Sequence, residues 1–352
     1  MPTATPADAS DQGPADAGAS SARMMQLITG SFASQVVRGF AELSLADVLA
    51  EGPAPADEIA AAIGAAAGAT TRLLRAGAAL GLVTADGQSR FAPTPLLATL
   101  RRDAPGSLRG LAVALASPGT WLPWGNFVAA ARTGERQTVA ALGVEYFEYL
   151  NRHPAEAEFF TAGMEGVANS LGEQAAEIID TRTASRAADI GGASGALLHA
   201  LLAANPALRG IVYDLPNVVP AATAAAERLG LAARVSAVAG DFFESVPEAD
   251  LHLLKWILHD WDDAACIRIL GNCRRSLRDG GRVVAVELHL GGMDDPGPAS
   301  IMDLNMMVML TGRERTVGEY GGLFAAAGLR LSRVEPLPSP FGPWNVMEAV
   351  PA

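Results

Sequence analysis

The sequence predicts a doubly wound α/β sheet with an antiparallel last strand, preceded by a mostly helical, winged-helix-like module. From about residue 183, short apolar runs alternate with helical stretches, which is typical of an α/β fold. The last two runs, 329–335 and 344–349, lie too close together for a crossover helix, so they must pair antiparallel. Two short helices followed by an Asp-Gly turn signal predict the N-terminal module.

Three segments follow from this pattern. Residues 1–22 contain almost no large apolar side chain and are predicted to form a disordered tail, because they cannot bury enough surface to become ordered. Residues 23–182 are predicted to form the helical module, with short helices at 57–64 and 70–83. Residues 183–352 are predicted to form the sheet-containing domain.

The elements of this last domain follow from its apolar runs. Its predicted strands are Ala187–Ile190, Gly210–Tyr213, Arg234–Ala239, Leu251–Leu254, Arg282–Leu288, Leu329–Glu335 and Trp344–Ala349. Its predicted helices include Val218–Leu229, Asp262–Leu277 and Val317–Ala327. The pair Gly280-Gly281 is expected to close the second of these helices before the Val-rich strand.

Composition excludes several classes of protein. A formal net charge of −12 argues against a nucleic-acid surface, and no apolar run has the length of a membrane span. The N-terminus lacks the features of a secretory signal, so a cytoplasmic location is expected. Cys266 and Cys273 share one face of a predicted helix, and we interpret them as buried apolar side chains rather than a disulfide or a metal site.

The N-terminal module leaves two functions open. Asp86-Gly87 predicts a hairpin between Leu82–Thr84 and Arg90–Thr94, and a helix pair with such a wing also occurs in ligand-sensing regulators. The segment from 57 to 109 carries only a small surplus of arginine over acidic residues, which is thin for a groove-binding module. Packing against another subunit is therefore the favoured interpretation.

The stretch Asp189-Ile-Gly-Gly-Ala-Ser-Gly195 lies between a predicted strand and a predicted helix. The glycine spacing of a dinucleotide loop fails when counted from Gly191 or from Gly192, and no lysine follows as in a phosphate loop. What remains, Asp-x-Gly-Gly-x-x-Gly, resembles the first motif of S-adenosylmethionine (SAM)-dependent methyltransferases. Asp214 ends the next strand, where an acid in such sheets holds ribose hydroxyls.

Two further motifs follow later strands. In Gly240-Asp-Phe-Phe, Asp241 is placed to accept the adenine amino group and Phe242 to cover its face, or Asp241 is a surface loop acid. In Leu254-Lys-Trp-Ile-Leu-His-Asp-Trp-Asp-Asp263, His259 stands among carboxylates. This run is consistent with a helix N-terminus capped by Asp262, with a metal site, or with a general base.

Six runs in order carry a resemblance to a known family. They are Asp189-Ile-Gly-Gly…Gly195, Tyr213-Asp-Leu-Pro, Gly240-Asp-Phe-Phe, Lys255-Trp-Ile-Leu-His-Asp-Trp, Val286-Glu and Gly312-Arg-Glu-Arg-Thr316. Together they resemble the SAM-dependent O-methyltransferases of the plant caffeate/flavonoid type, in particular their bacterial natural-product branch that includes mitomycin- and anthracycline-type enzymes. The resemblance covers the chain from about Met24.

The resemblance implies a role for each matching position. His259 is implied as the base that takes the acceptor's proton, flanked by Glu287 and Glu314. The implied SAM contacts are Asp189, Gly191, Gly192, Gly195, Asp214, Leu215, Gly240, Asp241, Phe242, Phe243 and Lys255. The implied acceptor contacts are Met164, Trp256, Asp260, Asn305, Met306 and Met307. It further implies a homodimer through the N-terminal module, S-adenosylhomocysteine as a product, and no metal, nucleic-acid or membrane partner.

Two positions depart from the family pattern. Ala193 stands where the family has a third consecutive glycine, and His289 adds a second imidazole on the strand face of Glu287. The resulting hypothesis is methyl transfer to a phenolic or quinol hydroxyl of a small polycyclic natural product. The alternatives are a SAM-binding tailoring enzyme with hydroxylation or decarboxylation chemistry, and a winged-helix regulator.

Overall fold

The computed structural model of the protein describes residues 14–86, 90–339 and 342–352, and the chain divides into two compact units between Ala116 and Ser117. In the first unit, the described helices are α1 (Pro14–Ile28), α2 (Gly30–Glu42), α3 (Leu45–Ala50), α4 (Ala56–Ala62), α5 (Ala67–Ala79), α6 (Pro95–Ala98) and α7 (Arg109–Ala114). Its described strands are β1 (Ala54–Pro55), β2 (Val83–Ala85) and β3 (Arg90–Pro93).

The first unit contains the elements predicted for the N-terminal module, in the predicted order. The helices α4 and α5 precede an antiparallel sheet of order β1-β3-β2 within the described residues. The backbone N–H of Asp86 donates to the carbonyl of Arg90 at 3.0 Å, while Gly87 of the predicted hairpin turn lies outside the described residues. Fully buried apolar side chains form the core of this unit, among them Phe40, Leu49 and Leu74.

The tail prediction is only partly testable and differs from the structure where it can be tested. Residues 1–13 lie outside the described part of the chain, but α1 begins at Pro14, inside the predicted disordered segment 1–22. The reason is that the segment is rich in alanine, the residue with the highest helix propensity, so it forms a helix without burying apolar surface.

The second unit contains a central sheet with helices on both faces. Its described helices are α8 (Pro118–Gly125), α9 (Phe127–Thr133), α10 (Thr138–Leu142), α11 (Tyr146–Arg152), α12 (Pro154–Ile178), α13 (Ala196–Ala204), α14 (Val219–Arg228), α15 (Asp263–Arg275), α16 (Ala299–Met309) and α17 (Val317–Ala326). Its described strands are β4 (Arg186–Ile190), β5 (Arg209–Asp214), β6 (Val235–Ala239), β7 (Ala249–Lys255), β8 (Leu277–Leu288), β9 (Leu329–Leu337) and β10 (Trp344–Pro351).

The sheet has the order β6-β5-β4-β7-β8-β10-β9 in the part of the chain that the structure describes. The first five strands in this order are parallel, and β10 pairs antiparallel with both β8 and β9, as predicted. Each predicted strand is present. The apolar strands β4 and β7 are buried almost throughout, and β8 is buried from Val283 to Leu288, because helices cover both faces of a parallel sheet.

The helices between Ser117 and Ile178 belong to the second unit, although the sequence analysis grouped them with the N-terminal module in 23–182. Tertiary packing explains the difference, since α12 packs against α13 and α8 packs against α16. Their apolar faces therefore meet elements that lie far away in sequence.

The prediction for Gly280-Gly281 is wrong. The helix α15 ends at Arg275, and both glycines lie inside β8, where the register with β7 shifts. Gly280 has φ +74, and a Cβ at Gly281 would lie 2.8 Å from the carbonyl oxygen of Asp250. The glycines therefore allow an irregularity of the strand rather than a helix end.

A close approach inside the first unit gives a stability prediction. A Cβ at Gly77 of α5 would lie 2.1 Å from Cζ of Phe40, whereas a Cβ at Gly68 of the same helix meets nothing within 4 Å. We expect Gly77→Ala to lower the free energy of unfolding by about 1–3 kcal/mol through overpacking. Gly68→Ala should raise it by up to about 1 kcal/mol through helix propensity. Thermal unfolding of the two variants checks this, and equal shifts would contradict it.

Candidate active site

The predicted site residues gather at the carboxyl edge of the parallel strands. In the sheet, β4 lies between β5, the next strand along the chain, and β7. This point is where open α/β sheets leave a crevice for a ligand. The loops after β4, β5, β6 and β7 all begin at this edge and carry the predicted motifs.

The glycine loop after β4 approaches its surroundings too closely for side chains. Gly191 (φ +68) and Gly195 (φ +84) have left-handed backbones, and a Cβ at Gly191 would lie 2.7 Å from Cδ1 of Ile257. A Cβ at Gly192 would lie 2.7 Å from Cγ of Asp189. Ala193 also has positive φ, +49, which costs an L-residue about 1–2 kcal/mol.

Asp214 holds this loop. Its carboxylate accepts hydrogen bonds from the backbone N–H of Ala193 at 2.9 Å and of Leu215 at 2.7 Å. Each carboxylate oxygen has a second lone pair, so the same group can still accept from a ligand hydroxyl. The Leu215 side chain is about half exposed, at 51%.

Asp189 is buried and Lys255 is half-buried, and the two carry opposite charges near the ends of β4 and β7. Burial raises the pKa of Asp189 to about 6, against the opposing effect of the Lys255 charge. Burial also lowers the pKa of Lys255, although Asp189 and Glu287 act to raise it. Oδ2 of Asp189 has no hydrogen-bond partner among the described residues, so this buried acceptor is available to a donor on a ligand.

Aromatic side chains line the next loop. The Phe242 and Phe243 rings lie 6.0 and 4.8 Å from the Trp261 ring in edge-to-face geometry. Asp241 is exposed and accepts a hydrogen bond from the backbone N–H of Phe243 at 2.8 Å. A Cβ at Gly240 would lie 2.0 Å from the Tyr213 hydroxyl. Trp261 was not assigned a cofactor role from the sequence, although it stands in the same run as His259.

His259 lies in a short 3₁₀ turn, Leu258–Asp260, after β7 and is only 6% exposed. Its Nδ1 is 2.9 Å from Oε1 of Glu314, and its Nε2 is 3.4 Å from Oδ1 of Asp260. The Trp256 ring stacks on the imidazole with centroids 5.1 Å apart and an interplanar angle of 20°.

The carboxylates determine the protonation of this histidine. Burial alone would lower the pKa of His259, but the charges of Asp260, Glu314 and Glu287 outweigh it and raise the pKa to about 9. The imidazolium is therefore the main form at neutral pH. Burial likewise raises the pKa of Asp260, and the positive charge of His259 opposes that shift.

Glu287 was predicted as an acid that flanks His259, but its hydrogen bonds go to the backbone rather than to the imidazole. Its Oε1 accepts from the backbone N–H groups of Ile257 at 3.0 Å and Leu258 at 2.8 Å. Burial raises the pKa of Glu287 to about 7, against the His259 charge. Glu314 is thus the acid bonded to the ring, and Glu287 holds the turn that carries it. The backbone of Trp256 in this turn has φ +57, a strained conformation for a non-glycine residue.

Arg315 is a site residue that sequence reasoning missed. Its guanidinium is fully buried, donates to the carbonyls of Leu258 at 3.0 Å and Trp261 at 2.8 Å, and pairs with Asp263 at 2.8 Å. It therefore joins the Gly-Arg-Glu-Arg-Thr run to the His-Asp-Trp run. The sequence did contain a signal, because Arg315 directly follows Glu314. Asp262 caps α15 by accepting from the N–H of Ala265, which confirms the predicted cap.

The predicted acceptor-side residues lie on two helices. Met164 is half-buried on α12, and α16 carries Asn305, Met306 and Met307. Met306 is buried, and Oδ1 of Asn305 accepts from Nε1 of Trp124 at 2.9 Å. A cavity of about 690 Å³ is lined by residues of this region. Its lining includes Met307, Leu310, Asp303 and Glu314.

His289 is held by another strand. Its Nδ1 lies 2.8 Å from Nδ2 of Asn345, which can only donate, so Nδ1 accepts and the neutral ring carries its proton on Nε2. Its proposed place in the site stays a prediction. In the described ranges, no group of three or more His, Cys, Asp and Glu side chains is arranged to hold a metal ion.

Residues 124–330 match the O-methyltransferase domain, and residues 25–102 match the O-methyltransferase dimerisation domain. The chain belongs to the O-methyltransferase family. Phenazine O-methyltransferase of Lysobacter antibioticus is 36% identical over 93% of this chain and 95% of that protein. The predicted fold and the predicted class, a SAM-dependent O-methyltransferase, are confirmed.

Two solved structures show the same fold. The mitomycin 7-O-methyltransferase has a TM-score of 0.87 at 32% identity, covering 97% of this chain and 100% of its own. An O-methyltransferase from neocarzinostatin biosynthesis, in complex with S-adenosyl-L-homocysteine and 1,4-dihydroxy-2-naphthoic acid, has a TM-score of 0.76 at 32% identity. That match covers 91% of this chain and 96% of the other.

The site of this O-methyltransferase fits SAM. The glycine loop leaves bare backbone where a Cβ would collide, and Asp189 offers a buried oxygen without a protein partner in the described residues. Asp214 and the aromatic group of Phe242, Phe243 and Trp261 lie on loops at the same edge. Among the described helices, none is both long and apolar enough to cross a membrane.

The buried guanidinium gives a prediction for this enzyme. We expect Arg315→Met to lower the free energy of unfolding by about 2–3 kcal/mol, because two buried carbonyls lose a charged donor. Displacement of the His259 turn should also lower kcat by roughly 10²-fold. Arg313→Met is the matched control, since Arg313 is half exposed and also pairs with Asp263. Unfolding curves and methylation rates of both variants check this, and equal effects would refute the positioning role.

Proposed function

We propose that this enzyme transfers the methyl group of SAM to a phenolic or quinol hydroxyl of a small polycyclic natural product, with His259 receiving the hydroxyl proton. The observation that carries the proposal is the imidazole of His259, which is bonded through Nδ1 to buried Glu314 at the edge where the cofactor loop ends. The relatives support this substrate class, because one is a phenazine O-methyltransferase and another holds a dihydroxynaphthoic acid.

Different residues of this chain would bind different parts of the cofactor. Gly191, Gly192 and Gly195 would admit the cofactor to the backbone, and Asp214 would accept hydrogen bonds from its ribose. The aromatic rings of Phe242 and Trp261 would cover the adenine. When bound, SAM supplies an electrophilic methyl group on a positively charged sulfur.

The energetics make positioning of the acceptor the larger contribution. Proton transfer from a phenol of pKa ~10 to a histidine of pKa ~6.5 is uphill by about 5 kcal/mol. From the neutral ring, with the pKa of His259 raised to about 9, the step is uphill by only about 1.4 kcal/mol, but forming that neutral ring at pH 7 costs about 2.7 kcal/mol. Alignment of the acceptor oxygen contributes about 7–11 kcal/mol. Glu314 stabilises the imidazolium, and the buried setting of His259 excludes water from it.

The first unit supports the proposal of a homodimer. Residues 25–102 match the dimerisation domain, and large apolar side chains on α1 and α2 are exposed. These are Met24, Met25, Leu27, Ile28 and Phe32. A second copy of the chain would cover them. A cytoplasmic location, without nucleic-acid or membrane partners, remains part of the proposal and agrees with the net charge of −12.

His259→Ala tests the base. We expect this variant to lower the methylation rate by roughly 10²-fold or more, because no other imidazole among the described residues is bonded to Glu314. SAM affinity should stay near that of the wild type, since the glycine loop is unchanged. The assay measures the mass of methylated acceptor and the release of S-adenosylhomocysteine, with unchanged turnover counting against the base. Turnover of acceptor without added methyl mass would instead support non-methylating chemistry.

Asp214→Ala tests the cofactor site. It removes both the ribose acceptor and the hydrogen bond to Ala193, so we expect SAM to bind more weakly by about 1.5–3 kcal/mol in calorimetric titration. Asp250→Ala is the matched control. Asp250 also accepts backbone hydrogen bonds, from Ser185 and Arg186, but at the amino end of β4. Equal SAM affinity in the two variants would reject the Asp214 assignment.

A further inference from the structure

Both ring nitrogens of His259 face a carboxylate. Nδ1 meets Glu314 at 2.9 Å and Nε2 meets Asp260 at 3.4 Å. Among the described residues the Nδ1 contact is a hydrogen bond, whereas the Nε2 contact is an ion-pair distance without one, which leaves the Nε2–H able to donate to a ligand. Two acids on either side of the ring favour its positive form.

Other groups around the ring favour the same form. The face of Trp256 lies 5.1 Å from the imidazole at 20°, which favours a cation over the indole. Glu287 on β8 is a third acid whose charge acts on the ring, and it also interacts with Lys255 on β7. The Arg315 guanidinium is directed to the carbonyls of Leu258 and Trp261 and to Asp263.

We propose that the His259 imidazolium, flanked by Glu314 and Asp260, selects acceptors with an acidic hydroxyl and binds them as aryl oxide anions. Such a hydroxyl is conjugated to a carbonyl, quinone or ring imine. The proposal rests on the proposed function and names its substrate class. An oxyanion close to Asp260 would be repelled unless the neighbouring ring carried a positive charge. The imidazolium supplies that charge and donates from Nε2, which Asp260 keeps protonated. Asp260 is thus a specificity-determining residue.

The reaction balances without a further reactant. The O–H bond of the acceptor breaks before methyl transfer, and its proton goes to solvent, or to His259 where the ring is neutral. The oxide forms the new O–C bond with its own electron pair, and the electrons of the S–C bond remain on sulfur. The anion and the sulfonium cation yield two neutral products, and the imidazolium keeps its proton.

The pKa of His259, raised to about 9, separates the acceptors that bind as oxides from those that keep their proton. When the hydroxyl has the lower pKa, the shared proton resides on the ring, and the reactive pair is oxide and imidazolium. When the hydroxyl has the higher pKa, the proton stays on oxygen and must move during the reaction. The pH range of activity should therefore lie between the two pKa values in each case.

The test uses naphthols of one scaffold with hydroxyl pKa values of about 6, 8 and 10, and measures kcat/KM from pH 5 to 11. We expect the acid limb to follow the hydroxyl pKa of the two acidic naphthols, with a common alkaline limb near 9. The most acidic naphthol should then have the widest pH range. An acid limb at one pH for all three would overturn the inference. Absence of any methylated product would instead overturn the proposed function.

A spectroscopic titration checks the bound form directly. A chromophoric naphthol bound together with S-adenosylhomocysteine should show the oxide absorbance at least about one pH unit below the pKa of the free compound. An unshifted or raised value would overturn the inference.

Asp260→Asn should move the alkaline limb of the kcat/KM profile to lower pH by removing one charge that stabilises the imidazolium. Asp262→Asn is the matched control, because Asp262 caps α15 and should leave the limb in place. An alkaline limb at the same pH in both variants would refute the role of Asp260. The wild-type titration decides the matter independently if either variant fails to fold.

Discussion

The turn from Trp256 to Asp260 depends on buried polar contacts from both sides. Glu287 accepts two of its backbone N–H groups, and Arg315 donates to the carbonyl of Leu258 and to that of Trp261 just beyond the turn. Because these groups are buried, each contact that is lost leaves an unsatisfied polar atom. That penalty keeps a strained backbone in place, since Trp256 has positive φ, and it gives the His259 ring one orientation.

The same contacts place three acids around one imidazole. Carboxylates brought together in a low-dielectric site raise one another's pKa and stabilise a nearby cation. Here burial, with a smaller effect of the Glu314 charge, raises the pKa of Glu287 to about 7, and the acids raise the pKa of His259 to about 9 against its burial. Under our proposal, such a site holds a positive ring against an acidic hydroxyl rather than acting as a neutral base of ordinary pKa. The cofactor loop, with Asp189 and Asp214 beside it, lies at the same sheet edge.

Much of the second unit could be predicted because its signals are local. Each strand from β4 to β10 was predicted within a few residues, since apolar runs between helices mark a parallel sheet. The errors have physical reasons. Gly280-Gly281 lies in a strand irregularity, where Gly280 has positive φ and a Cβ at Gly281 would meet the carbonyl oxygen of Arg278 and that of Asp250 on the distant strand β7. The helix at Pro14 shows that a composition without apolar residues does not exclude local helix.

The sequence by itself determined the sheet, the glycine loop, the acid at the end of β5 and the presence of His259 beside carboxylates. These depend on residue type, short spacing and strand order, which one chain displays directly. Only the tertiary structure decided that Glu314 binds the ring, that Glu287 binds the turn, and that Arg315 joins the two runs. The reason is that these residues are separated by about 30 to 60 positions, and hydrogen-bond geometry between such residues is set by packing rather than by spacing.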